Sequence, residues 1–163
     1  MTSKITLAYL AGLIDGEGYI GIKKQRPTAD RVAPSYHARI QVRMVDEQAI
    51  TLLAQKLGGK YYSERAAAGK RRGLYCWQAS DALAEQILRA LLPYLRVKRR
   101  SAEAVLRFRG WQAGNSAHRT KLLGHRQFQG YRGGVRTVRT MGFSDEYIAV
   151  CETAYAACKA LNH

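Results

Sequence analysis

Residues Leu10-Ala11-Gly12-Leu13-Ile14-Asp15-Gly16-Glu17-Gly18 read LAGLIDGEG, and the interpretation of the whole chain turns on them. An apolar run with small residues passes directly into two carboxylates set among glycines. The spacing predicts a helix over 5–14 that buries nearly its whole circumference and is stopped by the glycines that follow. Ala8, Ala11 and Gly12 lack bulk, so the backbone of a second helix can approach closely there. Glu17 is left at the end of a buried helix, where a carboxylate on a rigid element suits a hard divalent cation.

The rest of the composition narrows the class. A chain of 163 residues suits one domain with a real core. Its 27 Lys and Arg against 12 Asp and Glu give a formal net charge of +15, which implies a polyanionic partner, usually nucleic acid. A ribosomal-type RNA binder would carry the same charge. No apolar run reaches the roughly 18 residues of a membrane span, and no signal peptide is expected, since the start lacks a small-residue cleavage site. Cys76, Cys151 and Cys158 are an odd number without C-x-x-C spacing, which suggests a reducing compartment and neither a disulfide framework nor a zinc site. His118 and His125 are too far apart for a metal pair. An intracellular location is expected, in a bacterial cytoplasm or an organelle such as a mitochondrion or chloroplast.

Working outward from the first helix, 19–26 alternates as a strand and 26–34 reads as a loop. The next strand alternates cleanly: Ala38, Ile40, Val42 and Met44 are apolar, with His37, Arg39, Gln41 and Arg43 between them. One face therefore packs on a core and the other is basic. Asp46 stands at the expected N-cap of a second helix carrying Ile50, Leu53 and Leu57, which Gly58-Gly59 ends. A hairpin is expected from 60–65 and 72–79, with Tyr61, Ser63 and Arg65 on one face of its first strand, and Tyr75 and Trp77 turned inward. A third helix over 82–92 begins at Ser80 or Asp81 and ends at Pro93. A fourth runs over 98–111. The segment 114–142 carries Arg119, Lys121, Arg126, Arg132, Arg136 and Arg139 with no carboxylate, and it reads as an extended basic arm in which Phe128 and Tyr131 stack on bases or anchor the arm. Ser144 then caps a last helix whose stripe of Ile148, Cys151, Tyr155, Cys158 and Leu161 docks on the domain.

The string at 10–18 resembles the signature of the LAGLIDADG homing endonucleases, and the element order resembles that family's αββαββα pattern over about residues 5–111. A second local likeness is Leu92-Pro93-Tyr94-Leu95-Arg96-Val97-Lys98-Arg99. The resemblance implies an α+β fold with an antiparallel β-saddle, a core over 1–112, and a basic arm and C-terminal helix over 113–163. With one copy of the string, the chain resembles the homodimeric branch. The implied dimer interface includes Ala8, Ala11, Gly12 and Asp15, Asp15 being mainly structural. The resemblance further implies Glu17, with Gly16, as the holder of Mg²⁺ (Ca²⁺ substituting without cleavage), Lys98 as a member of a basic catalytic pocket, and Asp46 as a residue ordering catalytic water. Asp46 is equally an ordinary N-cap, and Ile50 stands where some relatives carry an arginine. The implied activity is cleavage of both strands of a long, nearly palindromic duplex, leaving 3′ overhangs, by an intron-encoded or free-standing protein. An intron maturase of the same fold, with intron RNA as partner, and a non-catalytic DNA-binding regulator stay open beside it.

The saddle then supplies the DNA surface. A strand rises about 3.3 Å per residue, close to the spacing of base pairs, so strands of about eight residues follow about eight base pairs and a dimer spans roughly 16 to 20. Arg39, Arg43, Arg65 and Arg72 suit guanine, and Gln25, Gln41 and Gln78 suit adenine. Lys23, His37, Tyr61 and Ser63 share the candidate surface. Arg99, Arg100, Arg126, Arg132, Arg136 and Arg139 supply further cationic contacts. None of these residues is an acid.

Overall fold

The computed structural model describes residues 3–27, 33–69, 71–115, 121–129 and 133–162. Its elements run α1 (Lys4–Glu17), β1 (Gly18–Gln25), β2 (Ser35–Met44), α2 (Glu47–Leu57), β3 (Lys60–Arg65), β4 (Leu74–Ser80), α3 (Asp81–Leu91), α4 (Arg99–Gly114), β5 (Lys121–Gln129), β6 (Val135–Gly142) and α5 (Asp145–Ala160). The first four strands form one antiparallel sheet in the order β1-β2-β4-β3, and β5 pairs with β6 separately. This is an α+β arrangement with an antiparallel sheet, as expected.

The helices cover one face of the sheet. Ile20, Ile22, Tyr36, Ala38, Ile40, Val42, Trp77 and Ala79 point into the layer filled by Leu10, Ile14, Ile50, Leu53, Leu88, Leu91 and Val105. Each such aliphatic side chain contributes about 1.5–3 kcal/mol by leaving water. Trp77 is fully buried, and its indole N–H donates to the Gly58 carbonyl at 2.6 Å, which ties the end of α2 to β4. The junction needs glycine: Gly59 has φ +94°, and a Cβ there would lie 2.7 Å from the Gln78 carbonyl oxygen.

Three boundaries depart from expectation. Helix α1 does not stop near Ile14 but runs through Gly16 to Glu17. Leu10, Ala11 and Ile14 anchor it in the core and outweigh the roughly 1 kcal/mol that each interior glycine costs. The chain leaves the helix at Gly18, where a Cβ would sit 2.6 Å from the Ile14 carbonyl oxygen. Nor is α1 buried all round: Ile5 is 84% and Tyr9 55% exposed. Second, β4 starts at Leu74, because 68–71 closes a tight turn through paired Ala68 and Arg71 backbone bonds and leaves Arg72 in the loop. Third, the expected arm over 114–142 begins inside α4 and continues as the β5–β6 hairpin, which turns at Gly133 (φ +75°).

Edge β1 is covered by α5, where Asn162 donates its amide to the Ile20 carbonyl at 3.0 Å and Lys24 pairs with Glu152 at 2.8 Å. Within α5, Tyr147, Cys151 and Cys158 are buried, whereas Leu161, expected in the docked stripe, is 44% exposed. Helices α4 and α5 run along the strands in opposite directions. The start of α4 lies by Asp15, and its end lies by Tyr36, where Gln112 donates to the Tyr36 carbonyl at 3.4 Å and to the Tyr147 hydroxyl at 3.1 Å.

Candidate active site and nucleic-acid interface

The carboxyl end of α1 gathers three of the expected residues. Asp15 turns back into its own chain: its carboxylate accepts from the backbone N–H groups of Arg96 at 2.6 Å, Val97 at 3.3 Å and Lys98 at 2.8 Å. It thus serves the otherwise unpaired donors at the start of α4. The expected structural role of Asp15 at this helix end agrees with these bonds. Lys98 is the N-cap residue of α4, is half-buried, and donates its ammonium to the Asp15 carbonyl. Asp15 therefore fixes Lys98 at the end of the helix that carries Glu17. Glu17 itself, the last residue of α1, is exposed. Asp46 caps α2, accepting from the Ala49 N–H at 3.1 Å.

The donor chemistry at this helix end suits a divalent cation in part. Glu17 offers a carboxylate, and Gly16, open around its Cα, offers a carbonyl at the negative end of the helix dipole. Both are hard oxygen donors of the kind Mg²⁺ and Ca²⁺ take. Among the described residues, no group of three or more His, Cys, Asp or Glu converges to hold a metal.

The face of the sheet away from the helices follows from the register. Tyr19 stands opposite Gln41, Lys23 opposite His37 and Gln25 opposite Ser35; Gln41 stands opposite Gln78, and Gln78 opposite Lys60. Paired residues share a face. A cavity of about 460 Å³ brings Glu17, Lys23, Arg39, Gln41 and Arg43 to a common surface with Tyr19 and Tyr155. The Nε of Arg39 is buried with no hydrogen-bond partner, so a guanidinium here still has a donor to satisfy.

Register also corrects several expected positions. Tyr61 pairs with Trp77 and Ser63 with Tyr75, which places both on the helix side of the sheet. Tyr61 stacks on Tyr75 with ring centroids 6.4 Å apart and donates its hydroxyl to Glu47, which pushes that phenol up to about 12. The outer face of β3 instead carries Lys60, Tyr62 and Glu64. Glu64 accepts from Arg43 at 2.6 Å, so an acid stands beside the cations of this face. Arg65 lies past a bulge and donates to the Arg72 carbonyl at 3.4 Å. The cross-strand pairing between β3 and β4 is the signal that would have sorted these residues.

At the other end of the strands, His37 is held between Asp81 (Nδ1 to Oδ2, 2.8 Å) and Ser35 (Nε2 to Oγ, 3.0 Å). Ser35 donates onward to Gln25 at 3.3 Å. Burial pushes Asp81 up, but the hydrogen bond and charge of His37, with Arg109 beyond, outweigh it and hold the carboxyl below its ordinary value. Gln41 donates to the Cys76 sulfur at 3.1 Å. Arg99 and Arg100 are exposed on the first turn of α4, Arg99 pairing with Glu103 at 3.1 Å. Arg126 and Phe128 lie on β5, and Arg136 and Arg139 on β6. His118, Arg119, Tyr131 and Arg132 fall outside the described residues.

A second surface lies on α1. Ile5, Ala8, Tyr9, Gly12 and Gly16 are exposed along one side, and the Ala8-Gly12-Gly16 spacing of four keeps the small residues in line. Ala11, expected in this set, is instead fully buried in the chain's own core. Apart from chain neighbours and the helix's own nearby backbone, no heavy atom of the described residues lies within 4 Å of where a Cβ on Gly12 or Gly16 would stand.

No protein-family profile matches the sequence. No curated protein matches it either. Solved structures do match by shape. The homing endonuclease I-CvuI, in complex with its target in the presence of Ca, superposes with a TM-score of 0.56 at 22% identity, covering 70% of this chain and 71% of that one. The archaeal intron-encoded homing endonuclease I-Vdi141I, complexed with DNA, gives 0.54 at 13% identity, covering 70% and 73%. The LAGLIDADG homing endonuclease I-SmaMI, bound to cleaved DNA, gives 0.53 at 16% identity, covering 69% of this chain but 38% of that one. At these identities the likeness is one of fold.

Proposed function

From the premise that this chain has the LAGLIDADG homing endonuclease fold, we propose that it is a site-specific DNA endonuclease that works as a homodimer with a divalent metal. The observation that carries the reading is the end of α1, where an exposed carboxylate adjoins an exposed apolar helix side. A two-fold axis along α1 resolves both features. It buries Ile5 and Tyr9, each worth about 1.5–3 kcal/mol, and brings a second Glu17 beside the first.

In the proposed site, Glu17 and the Gly16 carbonyl of each chain would hold the cation. The cation, when bound, acidifies water and neutralises charge on the phosphate. Lys98, held by the Asp15 carbonyl, contributes a fixed positive charge beside the reacting group. Asp46 stays committed to its N-cap and at most orients water from there. The two sheets join into one saddle, and Arg39, Gln41, Lys23 and Gln78 face the duplex over about 16 to 20 base pairs. Cuts across the central minor groove leave 3′ overhangs.

The test is incubation of purified protein with a randomised duplex library in Mg²⁺, in Ca²⁺, and with Glu17→Gln. A library is needed because I-CvuI has been seen with Mg and a target left uncleaved. Discrete double-strand cuts in Mg²⁺ that disappear in the variant are expected. Specific binding with no cuts in either metal would overturn the nuclease reading and leave a DNA-binding protein.

A further inference from the structure

We infer that the β5–β6 hairpin is an outboard DNA-binding ribbon that grips duplex beyond the end of the saddle and lengthens each half-site. The inference rests on the reading above.

Position is the first ground. The hairpin leaves from Asn115 and returns at Phe143, and both flanks sit at the end of β1 and β2 remote from Glu17. Phe143 stacks on Tyr147 with centroids 5.3 Å apart, and Gln112 ties Tyr147 to the Tyr36 carbonyl. Tyr36 pairs with Lys24, six residues along β1 from Gly18, or about 20 Å at strand rise. Duplex that follows the sheet outward from the cleavage end therefore runs toward the hairpin root.

Charge and shape are the second. From Ala104 to Ser144 the sequence contains no Asp or Glu. The described strands carry Lys121 and Arg126 in β5 and Arg136 and Arg139 in β6, so both strands are cationic in sequence. Gln127 and Gln129, exposed and on one face by their spacing, supply amides of the kind that read bases. An antiparallel ribbon two strands wide fits a major groove. Strands of 9 and 8 residues reach about 28 Å, or about eight base pairs.

Energetics is the third. Among the described residues, the two strands pair with each other and with no strand of the main sheet. A lone two-stranded hairpin is marginally stable in water. A polyanionic surface along its length supplies a further stabilising interaction.

The test compares wild type with K121Q/R126Q/R136Q/R139Q and with a variant in which residues 116–142 become a short Gly-Ser linker. The linker is geometrically feasible because Asn115 and Ser144 line one cavity. Protection of a cognate duplex is footprinted in Ca²⁺, and affinity is titrated against salt. The footprint should shorten by about eight base pairs at each end in the linker variant. Each lost phosphate contact lowers the slope of log affinity against log salt by about 0.9, so the four-site variant loses up to about 3.6 per chain. Footprints and slopes equal to wild type in both variants would overturn the inference and leave the saddle reading standing. Failure of the wild type to protect any duplex would overturn both.

Discussion

The decisive perturbation at the helix end is Asp15→Asn, which changes one oxygen to an amide nitrogen and adds no bulk. The carboxylate accepts three backbone N–H groups at 2.6, 2.8 and 3.3 Å. A hydrogen bond to a charged acceptor contributes about 1.5–3 kcal/mol and a neutral one about 0.5–1.5. Asparagine keeps one acceptor oxygen but turns an NH₂ toward a donor. With the turn half-open to water, which takes over part of the loss, the net cost comes to about 2 kcal/mol. For a domain of this size that lowers the melting temperature by about 4–8 °C. Thermal unfolding followed by circular dichroism, with and without Mg²⁺, measures it. Cleavage should fall with the loosening of Lys98, even below the melting transition. Asp15→Asn melting with the wild type while losing cleavage would refute the structural assignment and make Asp15 a metal or water ligand.

The remaining expectations can be checked by similar means. Glu17→Gln should show the opposite pattern, melting within about 0.5 kcal/mol of wild type as an exposed substitution while cleavage is lost; a large destabilisation would make Glu17 a structural residue. Gly12→Leu should leave the single chain folded, since among the described residues only chain neighbours and the helix's own backbone lie within 4 Å of the added Cβ, but should shift sedimentation from dimer to monomer; an unchanged dimer would move the two-fold axis off α1. Asp81, with its folded carboxyl held below the ordinary 3.8, contributes stability that is present above that pH and lost as pH falls through the depressed value. The acid limb of the unfolding curve should therefore be shallower in Asp81→Asn, and an identical limb would show that the His37 contact contributes nothing.

What was legible in the sequence was what repeats locally. Alternation in β2 fixed which residues face the helices, and Asp46 and Ser144 were readable as caps because a cap depends on three or four neighbouring residues. The faces of β3 are not legible in the sequence, because Tyr61, Ser63 and Glu64 have no strong alternation of their own. Their side is set by Trp77 and Tyr75 across the ladder, followed by a bulge at Ser63/Arg65. The end of α1 was misplaced because Gly16 looks like a stop signal, yet burial of Leu10 and Ile14 carries the helix past it. The 114–142 segment hides its hairpin because KLLGHRQFQ and VRTVRTMG carry no regular apolar alternation.

The same helix end explains why metal, assembly and cutting should be coupled in the proposed dimer. Two Glu17 carboxylates beside one axis repel, and a divalent cation between them offsets that repulsion. Apolar burial on α1 favours association, the carboxylates oppose it, and a divalent cation removes the opposition. Metal should therefore tighten the dimer as well as activate it, and by linkage the dimer should bind metal more tightly than the monomer. Glu17→Gln removes the repulsion and the ligand together, so its dimerisation should be insensitive to Mg²⁺ and no weaker than that of metal-free wild type. Sedimentation of both proteins with and without Mg²⁺ separates this coupling from two helices that merely adhere through Ile5 and Tyr9. In the latter case metal would leave both association constants unchanged.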